Sequence, residues 1–150
     1  ATTIRQAQVY GIGTREAGTA EFASYGIYFN LTDTTNLGKK ALYLYASRDS
    51  VDGFFVSPMS TTNCGQAVAL KDCVIEKFSI TGSAEINNLC KETDCTVQNL
   101  DIFFQRFYPE AKFFGGNYGY VKIVIQSTRD ATRQKEIQVW STGQIVVKDV

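Results

Sequence analysis

The rhythm of apolar and polar positions changes once, close to the start of the chain. Residues 2–10 (TTIRQAQVY) contain no breaker and several good helix formers, which predicts a short helix stopped by Gly11 and Gly13. So short a helix is unstable alone, because nucleation costs more than its few hydrogen bonds return. It therefore reads as the tail of something longer; the alternative is a complete short helix capped by Thr2 or Thr3. After a loop over 11–18 the period becomes two. Tyr25, Ile27 and Phe29 alternate with Gly26, Tyr28 and Asn30, the pattern of a half-buried strand. A polar, turn-rich segment over 32–40 leads to a second strand over 41–46 (ALYLYA). Further strands are predicted over 53–56, 73–80, 85–89 (weaker), 100–107 (LDIFFQRF) and 118–126 (YGYVKIVIQ). The last two, over 136–140 and 144–147, are joined by Ser141-Thr142-Gly143, a hairpin signal.

Strands that follow one another without intervening helices favour antiparallel meanders or a sandwich. The expected fold is α+β and mostly β: a short N-terminal helix packed on an antiparallel sheet or sandwich of about eight strands. No repeat, low-complexity tract or linker interrupts the chain, so residues 1–150 read as one domain, with a helix remnant over 1–10 and a β-rich body over 22–150. The 150 residues suffice for one ordinary domain, and 44% apolar with 20% charged residues is a globular balance. Ten Phe, eight Tyr and twelve Gly agree with a β-rich domain turned by small and polar residues. No apolar run approaches the ~20 residues of a membrane span. The opening Ala1-Thr2-Thr3, without an initiator Met, reads as a processed or trimmed start.

Charge and chemistry narrow the function. Fifteen basic and fifteen acidic side chains cancel, which argues against a polybasic nucleic-acid or membrane binder. The chain has no histidine, which removes Ser-His-Asp and Cys-His nucleophiles, His-ligated zinc and histidine acid–base work. The carboxylates are scattered, with no pair that sequence can place across a cleft. No enzyme activity, cofactor or metal is expected. The four cysteines stand at Cys64, Cys73, Cys90 and Cys95. Their spacing does not fit paired zinc knuckles, and a cysteine nucleophile would lack its histidine. Two local disulfides, Cys64–Cys73 and Cys90–Cys95, in an oxidising compartment fit best. Free thiols and cross-pairing, such as Cys73 with Cys90, stay open.

Other local signals have plainer readings beside the functional one. Gly11-Ile12-Gly13 follows a helix and lacks the third glycine of a phosphate-binding turn. The acids of residues 48–53 lack the ligand alternation of an EF-hand loop, which favours a solvated turn over calcium binding. Asn30-Leu31-Thr32 matches a glycosylation acceptor, a triplet that also arises by chance. Arg129, Arg133 and Lys135, with Lys122 on a nearby strand and Tyr118, Tyr120 and Trp140 close by, could contact DNA or another ligand. Asp130 and Glu136 dilute that patch, and a solvated turn is favoured.

The order of these features resembles the bacterial type IV pilin and pseudopilin family, in particular members with a GspH/FimT-type β domain. Residues 4–11 resemble the end of the pilin helix entering its first loop, and 24–29 the strand after it. Residues 89–95 with 100–106 are similar to a cysteine turn and strand of such pilins, and 137–145 to their closing hairpin. The prepilin cleavage site, the Glu shortly after it and the apolar helix are absent from the sequence, and 144–150 does not match the basic C-terminal motif of DNA-binding minor pilins. The resemblance implies a globular headgroup of a filament subunit that acts by assembly, in adhesion, motility or DNA uptake, and not by catalysis. It implies self-assembly with identical or related subunits, inner-membrane anchoring through the missing helix before assembly, and an extracellular, cell-surface location afterwards. Ile4, Ala7 and Val9 would lie at the junction of helix and headgroup, and the two cysteine pairs would stiffen exposed loops. A type II secretion pseudopilin, or a minor pilin capturing DNA or a host ligand, is the alternative.

Overall fold

A computed structural model describes residues 1–12, 24–47 and 72–150. Helix α1 runs from Thr2 to Ile12 and is followed by β1 (Ser24–Asn30), a 3-10 turn (Gly38–Lys40) and β2 (Ala41–Ser47). Then come β3 (Asp72–Ser79), β4 (Ala84–Lys91), β5 (Asp94–Val97), β6 (Asn99–Gln105) and β7 (Ala111–Phe113). The last three strands are β8 (Tyr120–Ser127), β9 (Gln134–Trp140) and β10 (Ile145–Asp149). They form two five-stranded antiparallel sheets, ordered β3-β2-β1-β6-β7 and β10-β9-β8-β4-β5.

Strand alternation decides what each sheet buries. Ile27 and Phe29 of β1, Leu44 of β2, and Leu100, Ile102 and Phe104 of β6 share one face of the first sheet. Ile86, Leu89, Val121, Ile123, Ile137 and Val139 share one face of the second. These faces join Ile4 and Ala7 of α1 in a single apolar core. The first sheet is apolar on its other face too, where Tyr28, Tyr43, Tyr45, Val74 and Phe103 form a second buried cluster. Its central strand β1 is therefore buried on both faces, not half-buried as its alternation predicts.

The expected fold needs correction. Ten strands in two five-stranded sheets, not about eight, stand among the described residues, and the helix continues to Ile12, past the predicted end at residue 10. The two added strands, β5 and β7, have only four and three residues and sit at sheet edges, where no periodicity can announce them. The predicted strand over 53–56 lies outside the described residues. Gly11 does not stop the helix but belongs to it, buried against β6. A Cβ on residue 11 would fall 2.9 Å from Phe104 Cβ and 3.1 Å from Phe104 O, so only glycine lets the helix backbone approach this closely. The contact is secured by the Phe107 N–H, which donates to Gly11 O at 2.8 Å.

With neither an acid in its first turn nor a base in its last, α1 draws nothing from its own dipole. An eleven-residue helix of this kind depends on packing for its stability. Gly11→Ala should therefore destabilise the domain by about 1–3 kcal/mol through overpacking, although alanine is the better helix former. Urea unfolding followed by circular dichroism would measure it; unchanged or raised stability would show that α1 is not held against Phe104.

Candidate functional site

Helix α1 presents three surfaces. Ile4, Ala7 and Gly11, at helical spacing, face the core. Gln8 reaches sideways: its Nε2 donates to Pro109 O at 2.9 Å and to Gly143 O at 3.0 Å, tying the helix to the β6–β7 connection and the β9–β10 turn at once. On the flank, Gln6 Nε2 donates to the Tyr10 hydroxyl at 2.7 Å, and the Tyr10 ring meets Tyr25 edge-on at 5.8 Å. Val9 and Ile12 point away from the core. Ile4 and Ala7 thus lie between helix and sheets, whereas Val9, expected there too, is 63% exposed. The separation follows from geometry: residue 9 is two positions from both 7 and 11, on the far side of a 3.6-residue turn.

Two more exposed apolar side chains, Phe107 and Tyr108, follow β6, where the Phe107 N–H donates to Gly11 O in the last turn of α1. Phe107 has φ 71°, a left-handed conformation that a bulky side chain resists. At the other end of the helix a cleft of about 630 Å³ opens between Ala1 and the second sheet, lined by Ile125, Ile137, Val147 and Val150. A smaller cavity of about 230 Å³, lined by Ile4, Phe29, Ile86 and Ile123, adjoins it through the shared residues Ala1, Ile125 and Ile137.

The expected basic patch does not assemble. Lys122 pairs in register with Gln138, so it and Lys135, three residues from Gln138, project from opposite faces of the second sheet. Three of the four cations also meet carboxylates: Lys122 with Glu136 at 3.5 Å, Arg133 with Asp130 at 3.5 Å, and Lys135 with Asp149 at 3.3 Å. Arg129 is exposed on the connection between β8 and β9. Of the rings that could stack a base, Tyr120 and Trp140 pack on each other at 4.9 Å, and Tyr118 has the Lys91 ammonium 5.3 Å from its centroid. In the same connection, Asp130 accepts hydrogen bonds from the side chain and backbone of Thr132, which hold its carboxyl below the ordinary value. Asp94 is held down by Thr96 in the same manner.

Cys90 and Cys95 are disulfide-bonded across the β4–β5 hairpin, the first buried and the second exposed. Cys73 is buried and disulfide-bonded, its Sγ 3.8 Å from Ala46 O; Cys64, its expected partner, lies outside the described residues. So do Gly13 and the acids of residues 48–53. Asn30 stands at the end of β1, where its Oδ1 accepts from the Thr32 backbone N–H and hydroxyl at 3.1 and 2.8 Å. Among the described residues no group of three or more His, Cys, Asp or Glu is placed to hold a metal, and no helix is long and apolar enough to cross a membrane.

One polar contact escaped the sequence reading. Tyr45 donates its hydroxyl to Asp101 Oδ1 inside the outer cluster of the first sheet, with both residues buried. The Tyr45 ring lies over Gly26, where a Cβ would come within 2.5 Å of it. A carboxylate amid the aliphatic and aromatic run LDIFF was the available signal, because a buried charge requires a partner. Burial, reinforced by the charge of Asp101, its hydrogen bond and then Asp72, pushes the Tyr45 phenol well above its ordinary value of 10.0. Burial raises Tyr28 and Tyr43 as well. No family model matches the chain, and no curated protein or solved structure is significantly similar to it.

Two measurements follow from this geometry. A phenol whose folded pKa lies above its unfolded one contributes stability that is intact below the unfolded value of 10.0 and lost as pH rises through the folded value. Unfolding free energy should therefore fall from about pH 10 upward. Tyr45→Phe should reduce that slope while costing about 1–3 kcal/mol at neutral pH, because Asp101 loses a buried donor. An identical alkaline slope in the variant would remove Tyr45 from the account. Replacing Cys90 and Cys95 together by Ser should lower stability by roughly 2 kcal/mol, the loop-closure value for so short a ring. Equilibrium unfolding measures it, and a loss near zero would mean that the hairpin holds its shape without the bridge.

Proposed function

We propose that this domain is a structural subunit of a type IV pilus-like extracellular filament, serving adhesion, motility or DNA uptake by assembly rather than catalysis. The observation that carries the reading is the division of α1 into two apolar sides. Ile4 and Ala7 dock the helix into its own domain, while Val9 and Ile12 offer apolar surface outward. A helix shared between a domain and its neighbours in an assembly needs both sides. In this reading an apolar helix leading into the domain holds the subunit in the inner membrane before assembly, and identical or related subunits are the partners. The disulfides suit an extracytoplasmic location.

Mass spectrometry of filaments sheared from the source cells should recover peptides of this chain together with an apolar segment preceding Ala1. Recovery confined to the soluble fraction, with nothing apolar upstream, would sink the reading. Val9→Glu with Ile12→Glu should remove the chain from filaments while changing unfolding free energy by only about 0.5 kcal/mol, as expected for exposed sites. Filaments that retain this variant at wild-type levels would show that the outward side of α1 is not an assembly surface.

A further inference from the structure

The turn after β1 sets an amide side chain at the surface beside a threonine. Asn30-Leu31-Thr32 has the form of an N-glycosylation acceptor, and of the seven asparagines in the chain only Asn30 has Ser or Thr two residues on. Asn30 closes β1 opposite Asn99 of β6, on the face of the first sheet that also carries Tyr28. Beyond it the chain leaves the sheet. Thr32, Thr34, Thr35 and Asn36 are exposed, so the triplet stands in the kind of surface turn that a bulky saccharide requires.

The geometry of the triplet adds to its pattern. Asn30 Oδ1 accepts from both the backbone N–H and the hydroxyl of Thr32, at 3.1 and 2.8 Å. The chain builds the same turn at Asp94 with Thr96 and at Asp130 with Thr132, each time with a carboxylate as the acceptor. A carboxylate accepts more strongly, so the turn by itself has no need of an amide. Asn30 brings what the two aspartates lack, a nitrogen. The turn leaves that nitrogen a single long hydrogen bond among the described residues, 3.4 Å to the Tyr28 hydroxyl. The two bonds on Oδ1 also draw electron density from the amide, which makes its Nδ2 protons more acidic and prepares the nitrogen for reaction.

From this arrangement we infer that Asn30 is a glycosylation site, with Nδ2 as the attachment point of an N-linked saccharide. The donor is a saccharide diphosphate, brought by a transferase. Nδ2 attacks C1 of the sugar, and the C1–N bond forms as the C1–O bond breaks. The diphosphate leaves with the electron pair, and one amide proton passes to a base of the transferase. Thr32 acts as a positioning residue, since its hydroxyl and N–H hold the amide in place and its own oxygen is not glycosylated. The inference goes beyond the filament reading and shares with it only the extracytoplasmic location.

Glycopeptide mass spectrometry of the chain recovered from its source cells is the test. The peptide holding Asn30 should carry a saccharide mass, and electron-transfer fragmentation should place that mass on residue 30. Asn30→Asp keeps the acceptor that serves at Asp94 and Asp130, so this variant should fold as the wild type does by circular dichroism and lose the saccharide. Thr32→Val should lose it too, whereas Thr32→Ser, which restores the hydroxyl, should keep it. A bare Asn30 in the wild-type chain would overturn the inference, as would a saccharide on Thr32, Thr34 or Thr35 in its place. Retention of the mass by Thr32→Val would overturn the role given to the triplet. The two readings fail separately. Filaments whose subunits carry a bare Asn30 refute the saccharide and support the filament, whereas a modified chain that never enters filaments refutes the filament and supports the saccharide.

Discussion

The approach of the α1 backbone to β6 at Gly11 is the constraint on which the rest of the molecule depends. Glycine there brings the helix within contact of Phe104, and that closeness places Ile4 and Ala7 in the core formed by both sheets. It also brings Gln8 within reach of Pro109 and Gly143, so that one amide ties the helix to connections in two different sheets. Since α1 is too short and too poorly charged at its ends to persist alone, its geometry is set by these contacts and not by its own propensity. What remains outside the contact, Val9 and Ile12, is outside for the same geometrical reason.

The first sheet meets a second demand. Its central strands are buried on both faces, and an apolar cluster of tyrosines must still satisfy their hydroxyls. Tyr45 does so on Asp101, across β1, with its ring filling the space that Gly26 leaves. A contact of this sort sets register as well as contributing stability, since a one-residue slip of β2 against β1 would turn the hydroxyl to the opposite face. The second sheet is built otherwise, with apolar residues inside and a mixed surface outside, and its charges balance locally. Lys122, Arg133 and Lys135 each face a carboxylate, which is how a chain of zero net charge carries so many basic residues without assembling a basic patch. Exposed pairs of this kind add little to stability, but they leave the surface without a strong field that would draw in a polyanion. Among the described residues, Val9 and Ile12 leave apolar surface on the outward side of α1, and that is what directs the functional reading toward assembly.

Much of the architecture is legible in the chain itself. The alternation of Ile27 and Phe29, of Ile123 and Ile125, and of Ile137 and Val139 marks long strands, because a pleated backbone with one buried face imposes period two on its apolar positions. The spacing of Cys90 and Cys95 favours a local bridge across a tight hairpin, and the structure is what chooses it over cross-pairing. The absence of histidine limits the available chemistry whatever the fold. What the sequence could not decide depended on partners distant in the chain. Three-residue β7 is a strand because β6 pairs with it, and Gly11 continues a helix because Phe104 waits beneath it, where local propensity alone would have ended it. The four cations adjacent in sequence look like a patch until the register of β8 on β9 sends Lys122 and Lys135 to opposite faces. Local patterns determined which segments bury themselves, since burial repeats with the period of the backbone. Which glycine is a contact, which charge is neutralised and where apolar surface stays open were decided by tertiary structure, because each depends on what a distant segment brings within a few ångströms.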